Sequence, residues 1–214
     1  MLGTQHLVVF VLSGILLNLT PGQDTMYILG RGIWQGRRAA LISALGIASG
    51  SMIHTFSAAL GLSAILTASA TAFEFVKWLG AGYLIYLGII TLAKPSATNG
   101  RPRKQTDAAP GTIYRQAILT NVLNPKVAFF FLAFLPQFVD PGTSHRMLTF
   151  LFLGSCFTFT GTLWCLMLGY ASGSISAALQ RRPAFGRIAE KLAGGLFVLL
   201  GIRLAMSKCP RPMR

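Results

Sequence analysis

The sequence predicts an all-α integral membrane protein: six transmembrane helices arranged as two inverted three-helix repeats, the first helix of each repeat broken at a proline. Three observations lead there. Hydrophobic residues fill 53% of the 214 positions and charged residues only 11%, with a mean hydropathy of +0.59. Soluble domains carry roughly 25% charged residues, so no polar shell can be assembled here and lipid has to cover most of the surface. Six apolar runs meet or approach the about 20 residues that a bilayer core demands: Leu7–Leu29, Ala39–Leu66, Val76–Leu92, Ile113–Val139, Met147–Tyr170 and Leu192–Met206. The bases cluster in alternate connections between these runs.

Taken in order, the first run continues past Pro21 to Leu29. It is preceded by "MLGTQH", which has no basic residue, so it reads as a retained span and not as a signal peptide. The second and fifth runs are long enough to tilt or project, while the third and sixth are short. Arg31, Arg37 and Arg38 follow the first run. Lys94, Arg101, Arg103, Lys104 and Arg115 follow the third, and Arg181, Arg182, Arg187 and Lys191 follow the fifth. The other connections hold only Lys77 and Arg146 as bases, although the tail adds Lys208, Arg211 and Arg214. Basic connections stay cytoplasmic, which places both termini outside. Trp34, Trp78 and Tyr114 fall at span ends, where interfacial anchors sit. The net charge of +14 is thus a topology signal; a nucleic-acid binder would want a basic face on a soluble scaffold.

One clear linker, "KPSATNGRPRKQTDAAPG", runs from Lys94 to Gly111 and is rich in Pro, Gly and polar residues. The whole chain is read as one membrane domain. Residues 1–93 form the first repeat, 94–112 a cytoplasmic linker and 113–207 the second repeat. A half with an odd number of spans must reappear upside down, so a repeat of three is inverted. In each half the broken span comes first, followed by a short Arg-bearing connection and a long span with glycines, Gly46 and Gly50 or Gly154 and Gly161.

The breaks carry the chemistry. "NLTPGQDTMYILG" puts Pro21, Gly22 and Asp24 inside the first run, and "NVLNPKVAFFFLAFLP" puts Pro125 and Lys126 inside the fourth. Proline removes a backbone donor and clashes with the preceding turn. In lipid such a break survives only where protein buries it or where it lines a wet cavity. Asn18, Thr20, Asn121 and Asn124 can supply substitute hydrogen bonds. Taken alone, either proline reads as an ordinary kink. The charges change the balance, because an ionised group at mid-bilayer costs at least about 2.5–3.5 kcal/mol. The bland alternative is a purely structural Asp24–Lys126 pair. The functional reading is a substrate cavity at the repeat interface. There Asp24 and free carbonyls would face an ammonium, and Lys126 and free amides would face a carboxylate. That arrangement suits an α-amino acid, and Asp24 could exchange a proton.

His54 shares a helix stripe with Gly46 and Gly50, whose spacing admits a neighbouring helix closely. It is either a packing histidine or a relay and cavity residue. Phe129–Phe131 read as lipid-facing or core packing. Cys156 and Cys165 lie on opposite helix faces, and with Cys209 they form no CxxC pair or zinc spacing. No cofactor is expected, and there is no ATP-binding motif.

"NLTPGQD" with "YILGRGIWQGRRAAL", and more specifically "ILTNVLNPKVAFFFLAFLPQFV", resemble the two signatures of the LysE/RhtB family of amino-acid exporters. The resemblance extends along nearly the whole chain. It carries over to Pro21, Gly22 and Asp24, and to Asn121, Asn124, Pro125 and Lys126. Gln23 departs from the pattern, since the family often has a second proline there, and this leaves the geometry of the first break open. The resemblance implies a multi-pass protein of the bacterial inner membrane that exports amino acids or their derivatives, driven by the ion gradient. The expected partners are therefore an amino-acid substrate, protons and the bilayer, with a homo-oligomer left open. A membrane-embedded enzyme is the first competing class, but no nucleophile–base set or metal cluster supports it. A thiol-based electron carrier would want paired cysteines at reachable geometry. A passive channel fits two charged breaks less well than a closed site does.

Overall fold

The computed structural model describes residues 3–4, 6–64, 70–93, 107–140 and 142–172, and scattered residues 191, 194–195, 198–199, 201–202 and 205–206. Within them the chain is helical, apart from connections and an isolated antiparallel bridge between Thr4 and Val139. The elements are α1 (Leu7–Leu19), α2 (Gln23–Ser57, continued by a π turn over Ala58–Leu62), α3 (Ala70–Ala93), α4 (Pro110–Val122), α5 (Pro125–Phe129) and α6 (Arg146–Tyr170). A π turn over Phe130–Phe134 and a 3-10 turn over Leu135–Phe138 extend α5.

α1 stops at Leu19 because a residue before proline avoids the helical region. Thr20 is extended, with φ −68° and ψ 123°. Its hydroxyl donates back to the Leu16 carbonyl at 2.8 Å. Gly22 is also extended, and α2 begins at Gln23. α2 is itself two helices joined at Gly36, whose φ of 84° and ψ of 177° suit only glycine comfortably. The connection expected between Leu29 and Ala39 is therefore shorter than the sequence implies. Arg31, read as one of its loop bases, sits within the helix and is only 4% exposed. It donates to Gln35 and, at 2.7 Å, to Gln116 of α4.

α4 opens with Pro110 at its first position, where a missing N–H costs nothing. Its axis turns by 47° into the Pro125–Phe138 segment. α2 and α6 pack along each other, and α2 packs equally along α4. Gly46 and Gly50 permit the second approach. A methyl group on Gly50 would lie 2.7 Å from Asn121 Cβ and 3.0 Å from the Ile118 carbonyl.

Seven phenylalanines (Phe10, Phe130, Phe131, Phe134, Phe138, Phe150 and Phe157) build the main core. Of the run Phe129–Phe131, Phe130 and Phe131 are core, each 2% exposed, and Phe129 stacks on Tyr83. Cys156 packs against this core, whereas Cys165 belongs to a second cluster with Ile28, Ala40, Ile47 and Leu168. Exposed apolar residues recur along the outside, including Val8, Leu12, Leu16 and Leu19 on α1 and Phe159, Leu163 and Met167 on α6. Such faces belong in lipid.

Among the described residues, Gln23–Leu62 and Arg146–Tyr170 are long and apolar enough to cross a membrane. The bent pair Pro110–Val122 and Pro125–Phe138 makes a third candidate. The expected third span falls within α3. The expected sixth span is described only at scattered residues, and the linker lies mostly outside the described residues. Contacts define two ends of the bundle. At one end Asp140 donates its N–H to the Gly3 carbonyl at 2.8 Å, beside the Thr4–Val139 bridge. At the other, Gln35 reaches the Ala108 carbonyl and Arg37 lies over the Tyr170 ring.

Candidate functional site

The two helix breaks meet. Asp24 stands in the first turn of α2, at the positive end of that helix, a favourable place for an acid. Its Oδ2 accepts a 2.8 Å hydrogen bond from Asn121 Nδ2 at the end of α4. Lys126, on α5, donates through Nζ to the Thr20 carbonyl at 2.8 Å, filling an acceptor that the first break exposes. Asn124 caps α5: its Oδ1 accepts from the Lys126 backbone N–H at 3.1 Å. Each break thus sends a polar side chain into the other or into itself.

These groups border one narrow, partly open cleft between α1, α2, α4, α5 and α6. Gly22, Asp24, Asn121, Asn124 and Lys126 line it, and so do Asn18, Thr25, Ser51, Thr158, Thr162 and Trp164. Leu17, Ile47, Val127 and Phe157 supply apolar wall. No ion pair joins Asp24 to Lys126: the acid bonds Asn121 and the base bonds a backbone carbonyl. The two charges sit close enough to feel each other, but each makes its hydrogen bond elsewhere. Asp24 Oδ1 and Asn121 Oδ1 are buried without a hydrogen-bond partner.

Three expected site residues stand apart from the cleft. Pro21 and Pro125 shape the backbone and do not line it. His54 packs instead: its Nε2 lies 3.2 Å from the Asn121 carbonyl and its ring stacks on Phe131. It supports Asn121 from behind, which is the packing alternative weighed for it. Asn18 does not bond the break as expected either; its Nδ2 donates to Thr160 on α6 at 3.4 Å.

Residues 15–208 match the family described as LysE type translocator. The chain belongs to the LysE type translocator family. As a translocator it is a membrane transport protein and not an enzyme. It is 32% identical over 200 residues to a homoserine/homoserine lactone efflux protein of Salmonella typhimurium, covering 93% of this chain and 95% of that one. It is 26% identical over 196 residues to a leucine efflux protein of Salmonella choleraesuis, covering 92% of each. An uncharacterized membrane protein of Pseudomonas aeruginosa is 30% identical over 211 residues, covering 95% and 96%. No solved structure matches the chain.

The translocator's cleft includes a wall that the sequence did not disclose. Ser51 and Thr158 share a 2.9 Å hydrogen bond, and Thr158 also meets Thr55 at 3.3 Å. With Thr162 and Trp164 they bring α6 into the site. The available signal was the polar spacing Thr158, Thr162 within an apolar span, but hydroxyls bonding their own helix give the same pattern. Thr162 also donates to the Thr158 carbonyl at 2.7 Å.

Proposed function

We propose that this translocator exports amino acids or amino-acid derivatives across the bacterial inner membrane, as a secondary transporter working by proton antiport. The observation that carries the reading is that Asp24 and Lys126 border one cleft, each bonded to a group other than its partner. Relatives named for leucine and for homoserine and its lactone support the substrate class. Asp24 Oδ1 offers an acceptor to an ammonium group, and the charge of Lys126 balances a carboxylate. Such groups are costly in a membrane interior and mark transport paths.

In this reading the two broken helices are the first spans of two inverted three-helix repeats. Rocking one repeat against the other exposes the cleft to each side in turn. Asp24 exchanges its proton with the outside when the cargo leaves. Both termini are periplasmic, and the Arg37–Tyr170 end of the bundle faces the cytoplasm. The narrow cleft is then a closed state that widens on loading.

The test is efflux from vesicles loaded with labelled L-leucine or L-homoserine under an imposed proton gradient. Efflux that requires the gradient and stops with a protonophore is expected. Equal leakage with and without the gradient would make the protein a passive channel. Labelling of single cysteines, in a protein lacking its own, at Thr98 and Ser144 tests orientation; Ser144 alone should react from outside.

A further inference from the structure

We propose that Trp164 is a substrate-contacting residue whose indole N–H donates to the α-carboxylate, or to the carbonyl that replaces it in a lactone. The inference rests on the transport reading above and names one anchor of its site. Trp164 lines the cleft, and its Nε1 is buried with no hydrogen-bond partner. An indole N–H can only donate, and buried tryptophans ordinarily satisfy it. Asp24 lines the same cleft, and its Oδ1 is a buried acceptor without a donor. These two atoms do not satisfy one another. A lone acceptor and a lone donor on residues lining a single cleft form the complement of an ammonium and a carboxylate.

Lys126 spends one of its three Nζ donors on the Thr20 carbonyl, which ties the ammonium to the first break. It supplies charge at short range, and Trp164 adds a directed bond. The rest of the wall mixes apolar Leu17, Ile47, Val127 and Phe157 with polar Asn18, Thr25, Ser51, Thr158 and Thr162. It adds no further charged residue and so offers no counter-charge to a long basic side chain. The assigned class is therefore small neutral α-amino acids and their carbonyl-bearing derivatives. An amine lacking the acceptor leaves the indole N–H unpaired and is rejected.

The chain has three tryptophans. Trp34 and Trp78 are exposed, at 43% and 56%, away from the cleft. Replacing both with phenylalanine leaves Trp164 as the sole reporter. Its emission should change saturably with L-leucine or L-homoserine, and at least about tenfold more weakly with 3-methylbutylamine, which lacks the carboxylate. Trp164→Phe should weaken binding of labelled L-leucine or L-homoserine by about tenfold and leave 3-methylbutylamine unaffected. If Trp164→Phe fails to fold, the fluorescence titration decides alone. Amino acids bound and exported with a silent Trp164, or with unchanged affinity in Trp164→Phe, would overturn this assignment and leave the transporter standing. If the unaltered protein neither binds nor exports any amino acid, the transport reading itself fails, and this inference with it.

Discussion

Between Leu19 and Gln23 the backbone runs extended, and Gly22 gives α2 no side-chain cap. Between Val122 and Pro125 the interruption is shorter, and Asn124 caps α5 with its own side chain. The second break is thus capped from within, with His54 of α2 reaching the Asn121 carbonyl beside it. The first depends on the second: Lys126 reaches its exposed Thr20 carbonyl, and Asn121 reaches its acid. The asymmetry suits a moving part. On the proposed rocking of the repeats, a break that borrows its partners can exchange them, while a break with its own cap keeps its shape. If substrate ammonium competes for acceptors at the first break, loading the cleft and loosening the halves become one event.

The strongest way to challenge this comparison is at Asp24. Asp24→Asn keeps the shape and the bond to Asn121 within reach but removes the charge. Gradient-driven efflux should fall to the level of protein-free vesicles. Exchange of labelled for unlabelled amino acid with no gradient should persist if the acid serves the proton. Undiminished gradient-driven efflux would remove Asp24 from coupling.

Lys126→Gln comes next. It takes an ammonium from the Thr20 carbonyl, a bond of a kind that contributes about 1.5–3 kcal/mol. The melting temperature in detergent should drop, and hydrogen exchange should rise around residues 16–20 more than around residues 122–126. Equal loosening at both breaks would contradict the dependence of the first on the second.

Gly50→Ala tests the same link from behind. The new methyl would press on Asn121 Cβ and on the Ile118 carbonyl. Overpacking of this kind costs about 1–3 kcal/mol. It should displace Asn121 from Asp24, so a loss of transport larger than the loss of stability is expected.

The two breaks also show what the sequence could disclose. Proline and glycine within apolar runs, with an acid at one and a base at the other, point to the site because each is expensive in lipid. Asp24 and Lys126 were legible for that reason, and Asn121 and Asn124 as side chains able to replace lost backbone bonds. Arg31 was not: a basic residue near Arg37 and Arg38 reads as a loop, and only its buried bond to Gln116, 85 positions away, shows otherwise. Trp164 was not legible either, since a tryptophan in an apolar span is unremarkable until its N–H is found without a partner. His54 was ambiguous by nature, because a stripe shared with Gly46 and Gly50 marks a close helix contact whether or not the imidazole faces a cavity.

Asn124→Ala addresses the self-contained break. Loss of an N-cap costs about 0.5–2 kcal/mol. Asn124→Ser should recover most of it, because a hydroxyl can accept from the same region of α5. The melting temperature and exchange at residues 126–128 are the measurements. Damage confined there, with residues 16–20 unaffected, fits a locally satisfied break.

The smallest effect, and the most discriminating, is expected from Gly22→Ser. Gly22 has φ −154°, extended backbone open to any residue. A Cβ there would lie 3.5 Å from Lys126 Nζ, an ordinary contact. Serine at this position can cap α2, worth only a few tenths of a kcal/mol over glycine. The gain matters less than its consequence: the first break would then hold one partner of its own. Lys126→Gln should therefore cost less stability in the Gly22→Ser background than alone, a coupling that a double-mutant cycle measures directly. Strict additivity would mean that the capless start of α2 and the borrowed ammonium are independent features, and the dependence of one break on the other would reduce to proximity.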